Sequence, residues 1–332
     1  MTIMHDNSRV GVVAIGRNEG ERLKRCLHSL ISHQVQRIVY VDSGSTDDSV
    51  NYAIGLGVQV VMLDMNVPFT AARARNEGFQ RLIELAPEVE YVQFVDGDCE
   101  VVSSWIADAA SFLDVHKQYA VVCGRRRERY PEKSLFNSMC DSEWDTPIGE
   151  TKACGGDALM RVKAFQQVNG YRIQLIAGEE PELCLRLRES GWRIWRLDHE
   201  MTLHDAAMTK FSQWWKRTTR AGYAFAEGAY LHGASPERHW VKESRRSLIW
   251  GLVIPAIALL GSFFYWQFSL MIAIVYPLQI CRLALRNKKE SKQHAWAIAT
   301  YNVLGKFAEM YGQFRFHFQR LLSRPSALIE YK

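Results

Sequence analysis

The chain has 332 residues, of which 48% are hydrophobic, and 41 Lys and Arg against 36 Asp and Glu give a formal net charge of +5. That much apolar material builds a substantial core in one large or two ordinary domains and excludes a mainly disordered chain. The basic excess is modest and gathers in the second half around an apolar stretch, which fits a membrane surface and argues against a nucleic-acid partner.

None of the seven cysteines shows CxxC spacing, and the opening MTIMHDNSRVG lacks the basic and apolar run of a secretion signal. A reducing compartment and free thiols are therefore expected. From residue 10, short β-rich runs alternate with helical patterns: VGVVAIG, EGERLKRCLHSLISH, QRIVYVDSG, STDDSVNYAIGLG and VQVVMLD. This rhythm predicts an α/β domain with helices wrapped on a parallel sheet. The helix starting near Glu19 is expected to bury Leu23, Leu27, Leu30 and Ile31, and STDD to cap the next helix with a Ser or Thr.

Beyond about residue 210 the segment FSQWWKRTTRAGYAFAEGAYLHG is aromatic and basic at once, a pattern suited to a bilayer interface. Leu248 to Trp266 carries no charge and approaches the roughly 20 residues that cross a bilayer core. A second apolar run from Phe268 to about Leu285 contains Arg282, which would have to snorkel. Arg238, Lys242, Arg245 and Arg246 precede the tract and Arg286, Lys288, Lys289 and Lys292 follow it, so both ends are expected on the cytoplasmic side. A buried hairpin of a soluble helical domain is the competing reading, given Pro255 and Pro277. The closing AIATYNVLGKFAEMYGQFRFHFQRLL is amphipathic and expected along the cytoplasmic surface.

The chemistry gathers at strand ends. VAIGRNEG, VYVDSGSTDD and VQFVDGDCE each finish a strand in polar residues, and each alone is equally readable as a turn. Together on one sheet edge they would line a cleft. The Asp96-Gly97-Asp98 turn suits Mg2+ or Mn2+, hard ions that take oxygen ligands and keep positions open for phosphates. Glu179 and Glu180 open a helix, where acids are favoured by the dipole.

RNEG, VDSGSTDDS, ARARNEGF, VDGD, ACGGDALMRVKAF with NGY, and GEEPELCLRLRESGWRIW follow one another over about residues 10 to 204. In this order they resemble a family 2 glycosyltransferase of GT-A fold, a Rossmann-like mixed sheet flanked by helices. The resemblance implies an inverting, metal-dependent transferase that takes a sugar from a nucleotide sugar, a UDP-sugar by expectation, to a lipid-linked or growing surface-glycan acceptor. It places Arg17, Glu19 and the backbone at Ala14 and Ile15 at the base and ribose, with Asp42 and Ser43 beside them; Ser43 stands where the family usually has a second carboxylate. Arg73, Arg75 and Asn76 fall in the segment beside the nucleotide, Asp96 and Gly97 at the ribose, and Asp98 and His204 at the metal. Gly155, Gly156, Asp157 and Trp192 would face donor or acceptor sugar. Glu180 would be the base, in place of the family's usual Asp, with Glu179 its competitor.

The organisation this implies is a GT-A catalytic domain over 1–210, amphipathic interface helices over 211–247, a transmembrane or re-entrant hairpin over 248–285, and a C-terminal amphipathic helix and tail over 286–332. The enzyme would sit at the inner membrane facing the cytoplasm, alongside other polysaccharide-assembly proteins. QWWKR, residues 213–217, matches the Gln-x-x-Arg-Trp signature of processive synthases only in part, which favours addition of one sugar at a time. Two rivals remain: a polyprenyl-phosphate sugar transferase, and a non-catalytic nucleotide-sugar-binding subunit.

Overall fold

Val10–Gly16 forms β1 and is buried along nearly its whole length, as a Val-rich run covered on both faces must be. The computed structural model describes residues 7–287 and 294–323, so expectations resting on Lys288, Lys289, Lys292, the extreme N-terminus and the C-terminal tail lie outside the described residues. After β1 come α1 (Glu21–Ser32), β2 (Arg37–Asp42), α2 (Ser49–Gly55), β3 (Gln59–Met62), α3 (Ala71–Leu85), β4 (Tyr91–Asp96), β5 (Cys99–Val101), α4 (Trp105–Val115) and β6 (Tyr119–Glu128). Then follow α5 (Leu135–Trp144), β7 (Gly149–Glu150), β8 (Ala158–Arg161), α6 (Val162–Gln167), α7 (Glu179–Glu189) and β9 (Arg193–His204).

The nine-stranded sheet runs β3-β2-β1-β4-β8-β6-β9-β5, with β7 on β9. It is the mixed α/β sheet flanked by helices that the sequence predicts. β1, β2, β3 and β4 are mutually parallel, and the register sets Gly16 opposite Asp42 and Ile15 opposite Asp96. β8 is antiparallel to β4 and β6, and β6 is parallel to β9 with Glu128 opposite His204. The C-terminal ends of β1, β2, β4, β6 and β9 therefore share one sheet edge.

Two local expectations are corrected. In α1 the buried face is Leu23, Cys26, Leu27 and Leu30, while Ile31 is 39% exposed, because at 100° per residue it turns past the sheet-facing stripe. The helix after STDD begins at Ser49 without a side-chain cap on its N-cap residue; Asp47 instead accepts from the Ser49 N–H, and Thr46 is tied to Asn18.

The chain divides into two compact units, residues 1–131 with 140–207 and residues 132–139 with 208–332. The second contains α8 (Phe211–His232), α9 (Val241–Leu248), a π-helical turn over Ile249–Val253, α10 (Ile254–Ser262), α11 (Trp266–Ala273), α12 (Val275–Asn287) and α13 (Ala295–Leu321). The π turn precedes Pro255, whose missing N–H leaves the helical ladder open there. Trp214, expected at an interface, is buried against Phe136 and Tyr301, and Tyr223 is buried beside Phe316 of α13.

Among the described residues two helical runs, Val241–Ser262 and Trp266–Arg286, are long and apolar enough to cross a membrane, and only 11% and 6% of their apolar windows are buried. A buried soluble hairpin would show the opposite. Phe263, Phe264, Tyr265 and Trp266 are each more than half exposed, an apolar patch that water does not favour. These helices are consistent with membrane association.

Candidate active site

The shared strand edge collects charge around Asp96. Arg75, on α3 and buried, donates from Nη2 to Asp96 Oδ1 at 2.7 Å and from Nη1 to Glu179 Oε1 at 2.9 Å. Arg126, near the end of β6, pairs with Asp157 Oδ2 at 2.8 Å and with Asp96 Oδ2 at 3.7 Å. Asp157 is fully buried and accepts from the Asp96 N–H and the Thr202 hydroxyl, both at 2.9 Å. Burial opposes the charge on both arginines, but the surrounding acids outweigh it, and each is held firmly protonated.

Gly156 packs into this cluster. A Cβ there would lie 2.8 Å from Asp96 Oδ2 and 3.1 Å from the Nη2 atoms of Arg126 and Arg75. Only backbone fits, so any ligand on this edge meets main chain at close range. Gly155, with φ of 82°, needs the left-handed region and makes the turn into it.

Asp98 and His204 form a second group. Asp98 Oδ2 lies 3.2 Å from His204 Nε2, and His204 Nδ1 is 3.8 Å from Glu128 Oε2. His204 Nδ1 is buried and makes no hydrogen bond among the described residues. An imidazole with a carboxylate at each nitrogen is the arrangement of a ligating histidine, one nitrogen toward a cation and the other toward a supporting carboxylate. Cys99 joins Asp98 and His204 within metal-ligand range. Burial raises its thiol pKa well above the ordinary value, so it stays neutral and donates weakly to Asp98 Oδ1. The charged donors are thus hard or borderline, which fits Mg2+ or Mn2+ better than a thiolate-seeking ion.

Glu180 lies at the start of α7 and is 6% exposed. Its Oε1 accepts from the Cys154 N–H at 2.5 Å and from the Cys184 thiol at 3.1 Å, and among the described residues no hydrogen bond reaches Oε2. Burial raises its pKa, the Cys154 bond opposes that, and the net shift is upward.

The remaining expected residues are distributed as follows. Ala14 and Ile15 are buried in β1, and Gly97 donates its N–H to the Ile15 carbonyl at 2.7 Å. Exposed Arg17 stacks on Phe69, and Glu19 pairs with Arg22. Asp42 spends both oxygens on its own turn, accepting from Tyr40 on one and from the Gly44 and Ser45 N–H groups on the other; Ser43 is buried beside it. Arg73 holds Glu77 and the Asp64 and Val67 carbonyls, and Asn76 clamps Tyr171 through its N–H and C=O. Arg75 alone of that trio reaches the Asp96 cluster. Trp192 is not brought there: it precedes β9, at the opposite strand end from His204, and its indole donates to Gln167. Sequence reasoning missed Arg126, Glu128 and Thr202; the GRRRE run ending β6 was the available signal.

The model for glycosyl transferase family 2 matches residues 12–168, and that for the N-terminal domain of galactosyltransferase matches 138–210. Residues 12–168 belong to glycosyl transferase family 2. A curated relative, succinoglycan biosynthesis protein ExoA of Rhizobium meliloti (strain 1021), is 27% identical over 175 residues, 49% of this chain and 52% of that protein. The match thus spans about half the length of that relative. Among solved structures, the mannosyltransferase PcManGT from Pyrobaculum calidifontis in complex with GDP-Man and Mn2+ has a TM-score of 0.63 at 15% identity, covering 92% of this chain and 87% of the other. S. aureus TarS 1-349 has a TM-score of 0.53 at 16% identity, covering 92% and 91%. Both show the GT-A fold for this chain.

Proposed function

We propose that this family 2 enzyme is an inverting, divalent-metal-dependent glycosyltransferase that moves a sugar from a UDP-sugar to a hydroxyl of a lipid-linked or growing surface-glycan acceptor, working one sugar at a time at the cytoplasmic face of the membrane. The convergence of Asp96, Asp98, His204, Arg75, Arg126 and Gly156 on one strand edge carries this reading. The succinoglycan relative and the exposed apolar helices support the acceptor class and the setting, with other assembly proteins as neighbours.

Asp98 and His204 would hold Mn2+ or Mg2+, with Glu128 supporting His204. When bound, the metal supplies neutralising charge to the departing diphosphate. Arg17, Glu19, Ser43 and the backbone at Ala14, Ile15 and Gly97 would take base and ribose, with Asp42 shaping their turn and Asn76 and Arg73 fixing the neighbouring helix. Arg75 and Arg126 hold Asp96 in place for the ribose. Gly155, Gly156 and Asp157 would line the donor-sugar position.

Glu180 would accept the acceptor hydroxyl's proton on Oε2 while Oε1 stays anchored to Cys154. A raised pKa strengthens it as a base, whereas Glu179 is tied to Arg75. The test is release of nucleoside diphosphate from a UDP-sugar panel by membranes containing the protein, with Mn2+ or Mg2+ and with GDP-mannose as a comparison. No release from any donor would leave only a binding subunit.

A further inference from the structure

A cavity of about 590 Å³ opens beside β6 and β9, with a lining that does not include Asp96, Arg75, Arg126 or Asp157, and the strand register explains it. Pairing passes from Cys123 opposite Arg196 directly to Arg125 opposite Glu200, so Leu197, Asp198 and His199 bulge out of the sheet. Gly124 permits this: a Cβ there would lie 2.6 Å from the His199 carbonyl oxygen and 2.7 Å from the Trp105 ring.

Arg196 lines the cavity at 4% exposure, and its Nε and Nη1 have no hydrogen-bond partner. Its Nη2 lies 3.5 Å from Asp145 Oδ1, and Arg125 Nε reaches that same oxygen at 3.5 Å. Arg125 makes its better bonds to Asp141. The Asp145 side chain is 65% exposed, so a loosely held carboxylate occupies the gap between two guanidinium groups. A buried guanidinium with unmet donors is costly until an acceptor enters with good geometry. Cys123, the register partner of Arg196, has its thiol pKa raised by burial first and then by Glu180, with Arg196 opposing. The lining residue Ile148 leads into β7, whose Gly149 pairs with Arg196, and the chain runs on to Cys154, whose N–H donates to Glu180, so the cavity wall is tied to the Glu180 side of the sheet.

We propose that this cavity binds an anionic group of the acceptor, a carboxylate or a phosphate, with Arg196 as its buried anchor and Arg125 as the second cation. The proposal rests on the reading of Glu180 as the base, which makes this the acceptor side. Asp198 and Glu200 at the rim oppose an anion, so affinity for a small fragment is on the order of millimolar.

The test uses the full chain in detergent and ligand-observed NMR with glucuronate, inorganic phosphate and, as neutral control, glucose. Saturable binding of glucuronate or phosphate, but not glucose, is expected to persist with saturating UDP and Mn2+. Arg196→Gln should weaken it about tenfold, the scale of a charge-assisted bond. Asp145→Asn, at an exposed position that spares the fold, should tighten it severalfold by removing the competing charge. Binding of glucuronate alone identifies an acidic sugar, and of phosphate alone a phosphate-bearing acceptor. Displacement by UDP and Mn2+, or insensitivity to both substitutions, overturns the proposal. Failure of UDP itself to bind with Mn2+ counts instead against the donor reading.

Discussion

Glu180→Gln separates catalysis from stability, because the two should move in opposite directions. In the folded protein the Glu180 pKa is raised, chiefly by burial. A carboxyl whose folded pKa exceeds its unfolded value of about 4.3 carries no penalty below that value, and a growing one as pH rises through the folded pKa. Each unit of elevation withholds about 1.4 kcal/mol of stability at the high-pH limit. Glutamine keeps an oxygen to accept from the Cys154 N–H and the Cys184 thiol, so the substitution removes the ionisation penalty and little else. The variant should match or exceed wild-type stability at pH 8, with the gain absent at pH 4. Turnover should fall roughly 10²- to 10⁴-fold, the range of general-base catalysis. Urea unfolding at the two pH values and nucleotide release at pH 8 read both effects. Near-normal turnover would remove Glu180 as base and favour an acceptor oxygen that needs none, such as a phosphate. A pH-independent loss of stability would refute the burial argument.

Asp98→Ala should abolish metal-dependent transfer and also the rise in melting temperature that Mn2+ gives the wild type; thermal unfolding with and without Mn2+ checks this independently of activity. Arg75→Met should cost about 3 kcal/mol in denaturant unfolding, because Asp96 and Glu179 lose a shared buried partner, and adding Glu179→Gln should recover part of it. Gly156→Ala should cost about 1–3 kcal/mol and weaken nucleotide binding by calorimetry, since its methyl would press on Asp96 and both arginines.

Strand ends were legible because their signal is local: an apolar run followed by Asp, Gly and Ser reads the same in one dimension as in three. Asp42, Asp96 and Asp98 were found this way, and the parallel register then set Asp42 and Asp96 on a common edge. Partners supplied from distant strands were not legible. Arg126 sits in a run of three arginines whose facings depend on a register shift between β6 and β9, so only one of them meets Asp157. Trp192 failed for the converse reason: its aromatic character suggests sugar stacking, but its place before β9 puts it at the far strand end. Ile31 shows the same limit on a smaller scale, one residue past a stripe whose edge only packing defines.

The charge balance explains why the proposed donor site calls for a cation. Arg75 and Arg126 are already committed to Asp96, Asp157 and Glu179. Asp98 and Glu128 then face His204, one at each ring nitrogen. A diphosphate approaching this edge therefore meets a surplus of carboxylate, and neither guanidinium can turn toward it without exposing a buried acid. A divalent ion at Asp98 would offset the two carboxylates around His204 without disturbing the Asp96 cluster. The two aspartates of the DGD turn are thus not interchangeable: one is paired with buried arginine, and the other lies beside His204, where the proposed metal would bind.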